Sequence, residues 1–206
     1  MSRGLGRAAA MALTIAAAAV ALTSAVPAAA QQYSDGYTFL KAVKDRDGSK
    51  ATSMVSVPGT TVINVRDGSS GEGALHMLVR DRDITWLSFL VGKGARVDLQ
   101  NGEGETPLSL AAQIGWIEGA DLLLSHRASV DLANQRGETP LILAVHRRDL
   151  AMVRLLVASG ASPARPDRVA GYSALDYARQ DPRAAPLLHI LEARPAAAGV
   201  GARPHT

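Results

Sequence analysis

Gly171-Tyr172-Ser173-Ala174-Leu175 begins like the nucleophile elbow that exposes a catalytic serine on a sharp turn, but the closing glycine of that motif is missing. The segment falls where a turn should lead into a helix, and Ser173 reads as a helix cap. Two pairs of carboxylates, Asp45 with Asp47 and Asp81 with Asp83, have the proximity that acid–base chemistry uses. Each pair lies in an expected short connection between helices, where charges are solvated. Gly71-Glu72-Gly73 and Gly102-Glu103-Gly104 are not phosphate loops, since no Gly-Lys-Ser/Thr follows and no parallel strand precedes, and they read as turns. His76, His126, His146 and His189 never stand three or four residues apart, the spacing that sets two ligands on one helix face, and cysteine is absent. The expectation is a chain without catalytic residues, cofactor or metal.

The elements that must carry these residues recur. Thr106-Pro107-Leu108 and Thr139-Pro140-Leu141 stand 33 residues apart, each after a Gly-Glu pair. Val97-Asp98-Leu99 returns as Val130-Asp131-Leu132 and Leu122-Leu123-Leu124 as Leu155-Leu156-Val157, in the same register. Glu72-Gly73-Ala74-Leu75-His76 is a degenerate earlier copy. Gly171-Tyr172-Ser173-Ala174-Leu175 is a later one, displaced by one residue that is assigned to the loop Pro163 to Arg168. A unit of about 33 residues cannot bury its own apolar face and must stack on its copies as a solenoid.

At these residues the chain resembles the ankyrin repeat family, over about residues 35 to 193. The pattern G-x-T-P-L-H-x-A, a Leu-rich second helix and a closing Gly-Ala are met closely by units 101–133 and 134–166 and more loosely by 68–100. Residues 31–67 read as an N-terminal capping repeat, with helices at Phe39 to Val43 and Ala51 to Val57 closed by Gly59. Residues 167–193 read as a truncated C-terminal cap and 194–206 as a frayed tail. The implied fold is an all-α solenoid of stacked helix-turn-helix units with projecting loops. Independently of the family, Thr-Pro opens a helix because the threonine oxygen accepts a backbone N–H and proline has none to leave unpaired. Gly94 and Gly160 can end second helices in the left-handed conformation; Arg127 stands at that place in unit 101–133, where the turn should be strained or rebuilt. In the family, the histidine at the place of His76 bonds neighbouring loop backbone.

If this fold holds, loop tips and the exposed sides of the first helices line one concave face. Its residues are Arg80 and Asp81 in the looser unit, Glu103, Glu105, Gln113 and Ile114 in the next, then Gln135, Arg136, Glu138, His146 and Arg147. Trp86 is placed in the core. Trp116, at the start of a second helix, is placed partly exposed and as a contact residue.

The N-terminus carries Arg3 and Arg7, an uncharged apolar run from Ala8 to about Val26 and Ala28-Ala29-Ala30, the pattern of a signal peptide cleaved before Gln31. The expected location is periplasmic or secreted, with no stable membrane insertion after cleavage. Removing residues 1–30 lowers the formal charge from +3 to +1, so a nucleic-acid partner has no support. The expected function is a protein–protein interaction module, not an enzyme, and by resemblance to some exported bacterial ankyrin proteins an accessory to an envelope or stress enzyme. The alternative is a self-associating envelope component, against which the polar loops near Asp35 and the proline-rich tail read as terminators of a monomer.

Overall fold

Three of the stacked units open on the capping residue their sequence supplies, whereas the helix Ala74–Asp81 opens on Gly73, which has no side chain to cap with. The Thr106 hydroxyl accepts from the Ser109 amide at 3.1 Å while the Ser109 hydroxyl accepts from the Thr106 amide at 2.8 Å, so two donors otherwise orphaned at the helix start are satisfied. The Thr139 hydroxyl accepts from the Ile142 amide at 3.3 Å, without the reciprocal bond. Ser173 accepts from the Asp176 amide at 3.2 Å, and the Asp176 carboxylate accepts from the Ser173 amide at 3.0 Å. The elbow-like serine is thus a cap, as its position between turn and helix requires.

The computed structural model describes residues 28–193, and side chains from residue 35. The signal segment expected up to residue 30 therefore lies largely outside the described residues, as does the expected tail. The helices are α1 Ala28–Lys44, α2 Gly48–Val55, α3 Ala74–Asp81, α4 Ile84–Gly92, α5 Pro107–Ile114, α6 Ile117–Ser125, α7 Pro140–His146, α8 Leu150–Ala158, α9 Ala174–Gln180 and α10 Ala185–Glu192. Short 3-10 turns occupy Val62–Asn64 and Pro182–Ala184. Among the described residues there is no strand, only one bridge between Pro166 and Ser173, so the fold is all-α. The helix α1 is much longer than Phe39 to Val43, α2 stops at Val55, and residues 167–193 hold a complete helix pair.

First helices stack in the order α1, α3, α5, α7, α9, and second helices in the order α4, α6, α8, α10. Ala111, Ala112 and Ala144 are fully buried and let the first helices approach closely. Behind them Leu108, Leu123, Leu141, Ile142, Met152 and Leu156 are all 0% exposed, each contributing about 1.5–3 kcal/mol by leaving water. The core runs from Phe39 to Leu191 without a break between units, which is how short helices that would not hold alone become stable.

Between the helices of the first four pairs one residue is left-handed: Arg46, Arg82, Gly115 and Arg148, with φ of 59°, 54°, 69° and 56°. The next residue caps the second helix: Asp47, Asp83 and Asp149 each accept an amide at 3.0 Å. Asp83 and Asp47 are therefore caps. Asp45 pairs with Lys41, and Asp81 lies 3.8 Å from Arg46, so neither carboxylate pair is arranged for acid–base work. The arginines also tie each turn to the next unit: Arg82 donates to the Ile114 carbonyl at 2.9 Å and Arg148 to Asp181 at 2.5 Å.

In unit 101–133 the capping position is Trp116, which makes no cap hydrogen bond. Trp116 is only 5% exposed, correcting its placement as a contact residue. Its ring folds over Gly119, where a β-carbon would come within 2.1 Å, so the glycine makes the space that buries it. Trp86 is half-buried, edge-to-face with Phe89 at 5.2 Å. At the ends of second helices Gly94 and Gly160 have φ of 90° and 93°, and Arg127 is forced to 65° at the same place, the strain its sequence position foretold. The displaced residue near the C-terminal unit is also relocated. Arg168 donates to the Arg136 carbonyl as Gln135 donates to Glu103, so the 33-residue register persists through Arg168, and the insertion falls just after it in the loop tip.

Candidate functional site

The loops between units are built on one Asx residue each: Asp67, Asn101, Asn134 and Asp167. Each closes its loop through its own amide, which donates to the carbonyl of Glu72, Glu105, Glu138 and Tyr172 respectively at 2.7–3.0 Å. Asn101 Oδ1 accepts from the amides of Glu103 and Glu105, and Asn134 Oδ1 from those of Arg136 and Glu138. Asp67 accepts from the amides and hydroxyls of Ser69 and Ser70, led by the Ser69 hydroxyl, and is held well below the usual carboxylate range. One backbone bond then joins each tip to the next, Gly102 to Ser70, Gln135 to Glu103 and Arg168 to Arg136, at 2.8–3.0 Å.

This ladder decides which expected site residues are available. Glu105 is buried, its carboxylate accepting from Asn101 Nδ2 at 2.9 Å, and Glu138 is held by Asn134 at 2.8 Å and by Arg136. Both are struts of the loops, which corrects the placement of Glu105 on the exposed face. Gln135 is exposed, but its amide donates to the Gly102 carbonyl at 2.7 Å. Glu103, Gln113, Arg136, His146 and Arg147 are exposed, Ile114 is half-buried, and Asp81 and Arg80 are exposed, Arg80 reaching Glu72 at 2.5 Å. His76 is wholly buried: Nδ1 accepts from the Gly73 amide at 3.2 Å, so Nε2 carries the proton and donates to the Glu105 carbonyl at 3.0 Å. Burial pushes its pKa down. Its role is the loop-bonding one the resemblance implies.

Loops and first helices together wall two hollows. One, of about 410 Å³, lies between α1 and the first loop and is bordered by Tyr37, Lys41, Lys44 and Ser69. The other, of about 430 Å³, lies between α7 and α9 and is bordered by His146, Arg148, Tyr177 and Asp181. Beside the second runs an aromatic strip. The Tyr177 ring meets His146 edge-on at 4.4 Å and Tyr172 at 5.6 Å, and its hydroxyl donates to Asp167 at 2.5 Å. That bond, aided by burial, pushes the tyrosine up to about 12. Burial alone would raise Asp167, but the Tyr177 hydroxyl and the amides of Val169, Ala170 and Gly171 hold it below the usual carboxylate range. The strip thus crosses from loop to helix with Tyr177 as a fixed bridge.

Tyr172, Tyr177 and Tyr37 were not among the residues picked from the sequence. A signal existed for two. Tyr177 takes the register place of Leu110 and Leu143, which are buried, and Tyr172 takes that of Glu72, Glu105 and Glu138. At Tyr172 the aromatic ring stands exposed where the other units carry a loop glutamate, and at Tyr177 it stays half-buried against the core.

Among the described residues no group of three or more His, Asp or Glu could hold a metal, and no helix is long and apolar enough to cross a membrane. The family model for ankyrin repeats matches residues 75–167 in three copies. Ankyrin repeats are protein–protein interaction modules and generally do no chemistry of their own. With this match over the stacked units, and with paired helices, looped tips and the buried His76 bridge in place, the chain belongs to the ankyrin repeat family.

Proposed function

We propose that this chain is an exported adaptor that binds a partner protein across the face made by its loop tips and first helices. The observation that carries this reading is the strip formed by exposed Tyr172 and His146 on either side of half-buried Tyr177, whose hydroxyl is fixed by Asp167, beside a hollow of about 430 Å³. Amphipathic rings held rigidly on a scaffold are the usual anchors of protein interfaces, because they bury much area for little lost rotamer freedom. Export is supported by Arg3 and Arg7, the uncharged run after them and Ala28-Ala29-Ala30, and we place cleavage before Gln31, within the first turn of α1. An envelope or stress-response enzyme is the partner class this location favours.

A crosslinking pull-down from periplasmic extract tests it, with the chain beside a variant carrying Gln113, His146, Arg147 and Tyr172 all changed to Ala. These positions are exposed and make no bond that holds the stack. A protein captured by the first and lost with the folded second supports the face; equal capture by both refutes it. Intact mass of the exported protein checks cleavage, and retention of Met1 would reject it.

A further inference from the structure

We propose that the Tyr172–Tyr177–His146 strip docks an acidic, extended segment of a partner protein that carries one aromatic or branched aliphatic side chain. This rests on the loop-and-first-helix face being the binding face. The partner's chemistry follows from what the strip has left to offer. The carboxylates along it have partners, Glu138 in Asn134 and Arg136, Asp167 in Tyr177 and three amides, Asp181 in Arg148 and the Arg183 amide, while Asp149 caps the Met152 amide with Oδ1 and turns Oδ2 toward the Gly115 turn. The cations are not all spent. Arg147 and Arg168 are exposed, and among the described residues neither guanidinium has a hydrogen bond or ion pair.

Their positions bracket the strip. Arg147 extends from the end of α7 toward the preceding turn, its Nη2 3.0 Å from where a β-carbon on Gly115 would stand. Arg168 lies at the loop tip with its stem against Gly137. A segment laid across the strip from turn to loop therefore meets at each edge a guanidinium that, among the described residues, has no hydrogen bond or ion pair: Arg147, with the Asp149 carboxylate nearby at the Gly115 turn, and Arg168 at the loop tip. Carboxylates are the groups that two guanidiniums accept best, and a basic segment would face like charge at both edges. The hollow of about 430 Å³ offers an apolar side chain Val145, Tyr177 and Pro182 in its lining, together with the Arg148–Asp181 pair.

The charge pattern is local. Residues 134–193 hold eight arginines, no lysine and six carboxylates, a formal +2, whereas unit 101–133 holds one arginine and five carboxylates, a formal −4. An acidic segment is steered to the C-terminal half of the face and away from its middle.

Panning random phage-displayed dodecapeptides on the full-length chain tests this, with selected peptides then measured by fluorescence anisotropy. The expected pool is net negative and carries an aromatic or branched aliphatic residue. Its binding falls at least ~10-fold with Arg147→Glu combined with Arg168→Glu, and falls again between about 50 and 500 mM NaCl, as a contact between exposed charges must. Tyr172→Ala, also exposed, weakens it in the same direction, and an unchanged thermal transition shows that the variants fold. Basic or neutral peptides, an enriched pool indifferent to the double arginine variant, or no enrichment at all would overturn the proposal. If the indifferent pool is instead lost with Tyr37→Ala and Gln113→Ala, the protein-binding face survives and only its assignment to this strip and chemistry fails.

Discussion

Replacing Arg127 by glycine should stabilise the protein. Arg127 occupies the left-handed residue after α6, with φ of 65°, where the neighbouring units have Gly94 and Gly160 at 90° and 93°. Its side chain is exposed and makes no hydrogen bond or ion pair among the described residues, so little is lost by removing it. A β-carbon in the left-handed region costs about 1–2 kcal/mol. Glycine gives part of that back, about 0.4–1 kcal/mol, because it frees the unfolded chain. The net expectation is a gain of about 1 kcal/mol, or a rise in Tm of about 2–4 °C for a chain of this size. Urea denaturation at constant m is the measurement, with Arg127→Ala as control, since alanine keeps the β-carbon and should leave stability within about 0.5 kcal/mol. If Arg127→Gly leaves the midpoint unchanged, or if alanine raises it equally, the benefit does not come from the backbone conformation and the reasoning is wrong.

Leu123→Ala, which empties a fully buried site between α6 and its neighbours, should cost about 2–5 kcal/mol by chemical denaturation. Asn134→Ala should cost about 1–3 kcal/mol by leaving loop amides without their acceptor, and hydrogen exchange should quicken at Arg136 and Glu138 before the helices respond. His76 gives stability a pH dependence of known sign. Burial depresses its folded pKa below the ordinary 6.5, so its contribution is complete above that value. As pH falls below it, the unfolded chain takes up a proton that the buried ring refuses, and stability is lost until pH has passed through the folded pKa. Denaturant midpoints followed from pH 7 downward should show this step, and His76→Gln should remove it.

Some of this protein was determined by residues acting locally. A 33-residue period needs only the chain itself to be seen, and Thr106-Pro107, Thr139-Pro140 and Ser173 open helices through bonds spanning three residues. Stacking followed because helices of seven to nine residues with one apolar face cannot stand alone. Arg127 was legible for the same reason, since a left-handed turn is a property of one residue. What the period could not give was the orientation of side chains whose partners lie a whole unit away. Glu105 looked like a loop-tip charge, yet Asn101 and the His76 bridge draw it into the stack. Trp116 looked exposed at a helix start, and only its packing over Gly119 buries it. The break in register at Tyr172 and Tyr177 was legible, but the strip itself was not, because Tyr177 meets His146, 31 residues earlier in the preceding unit, in a contact set by how closely helices pack. Local chemistry thus sufficed for the units and their order, whereas the face those units leave open was decided by inter-unit packing and hydrogen bonds, which exist only once the stack has formed.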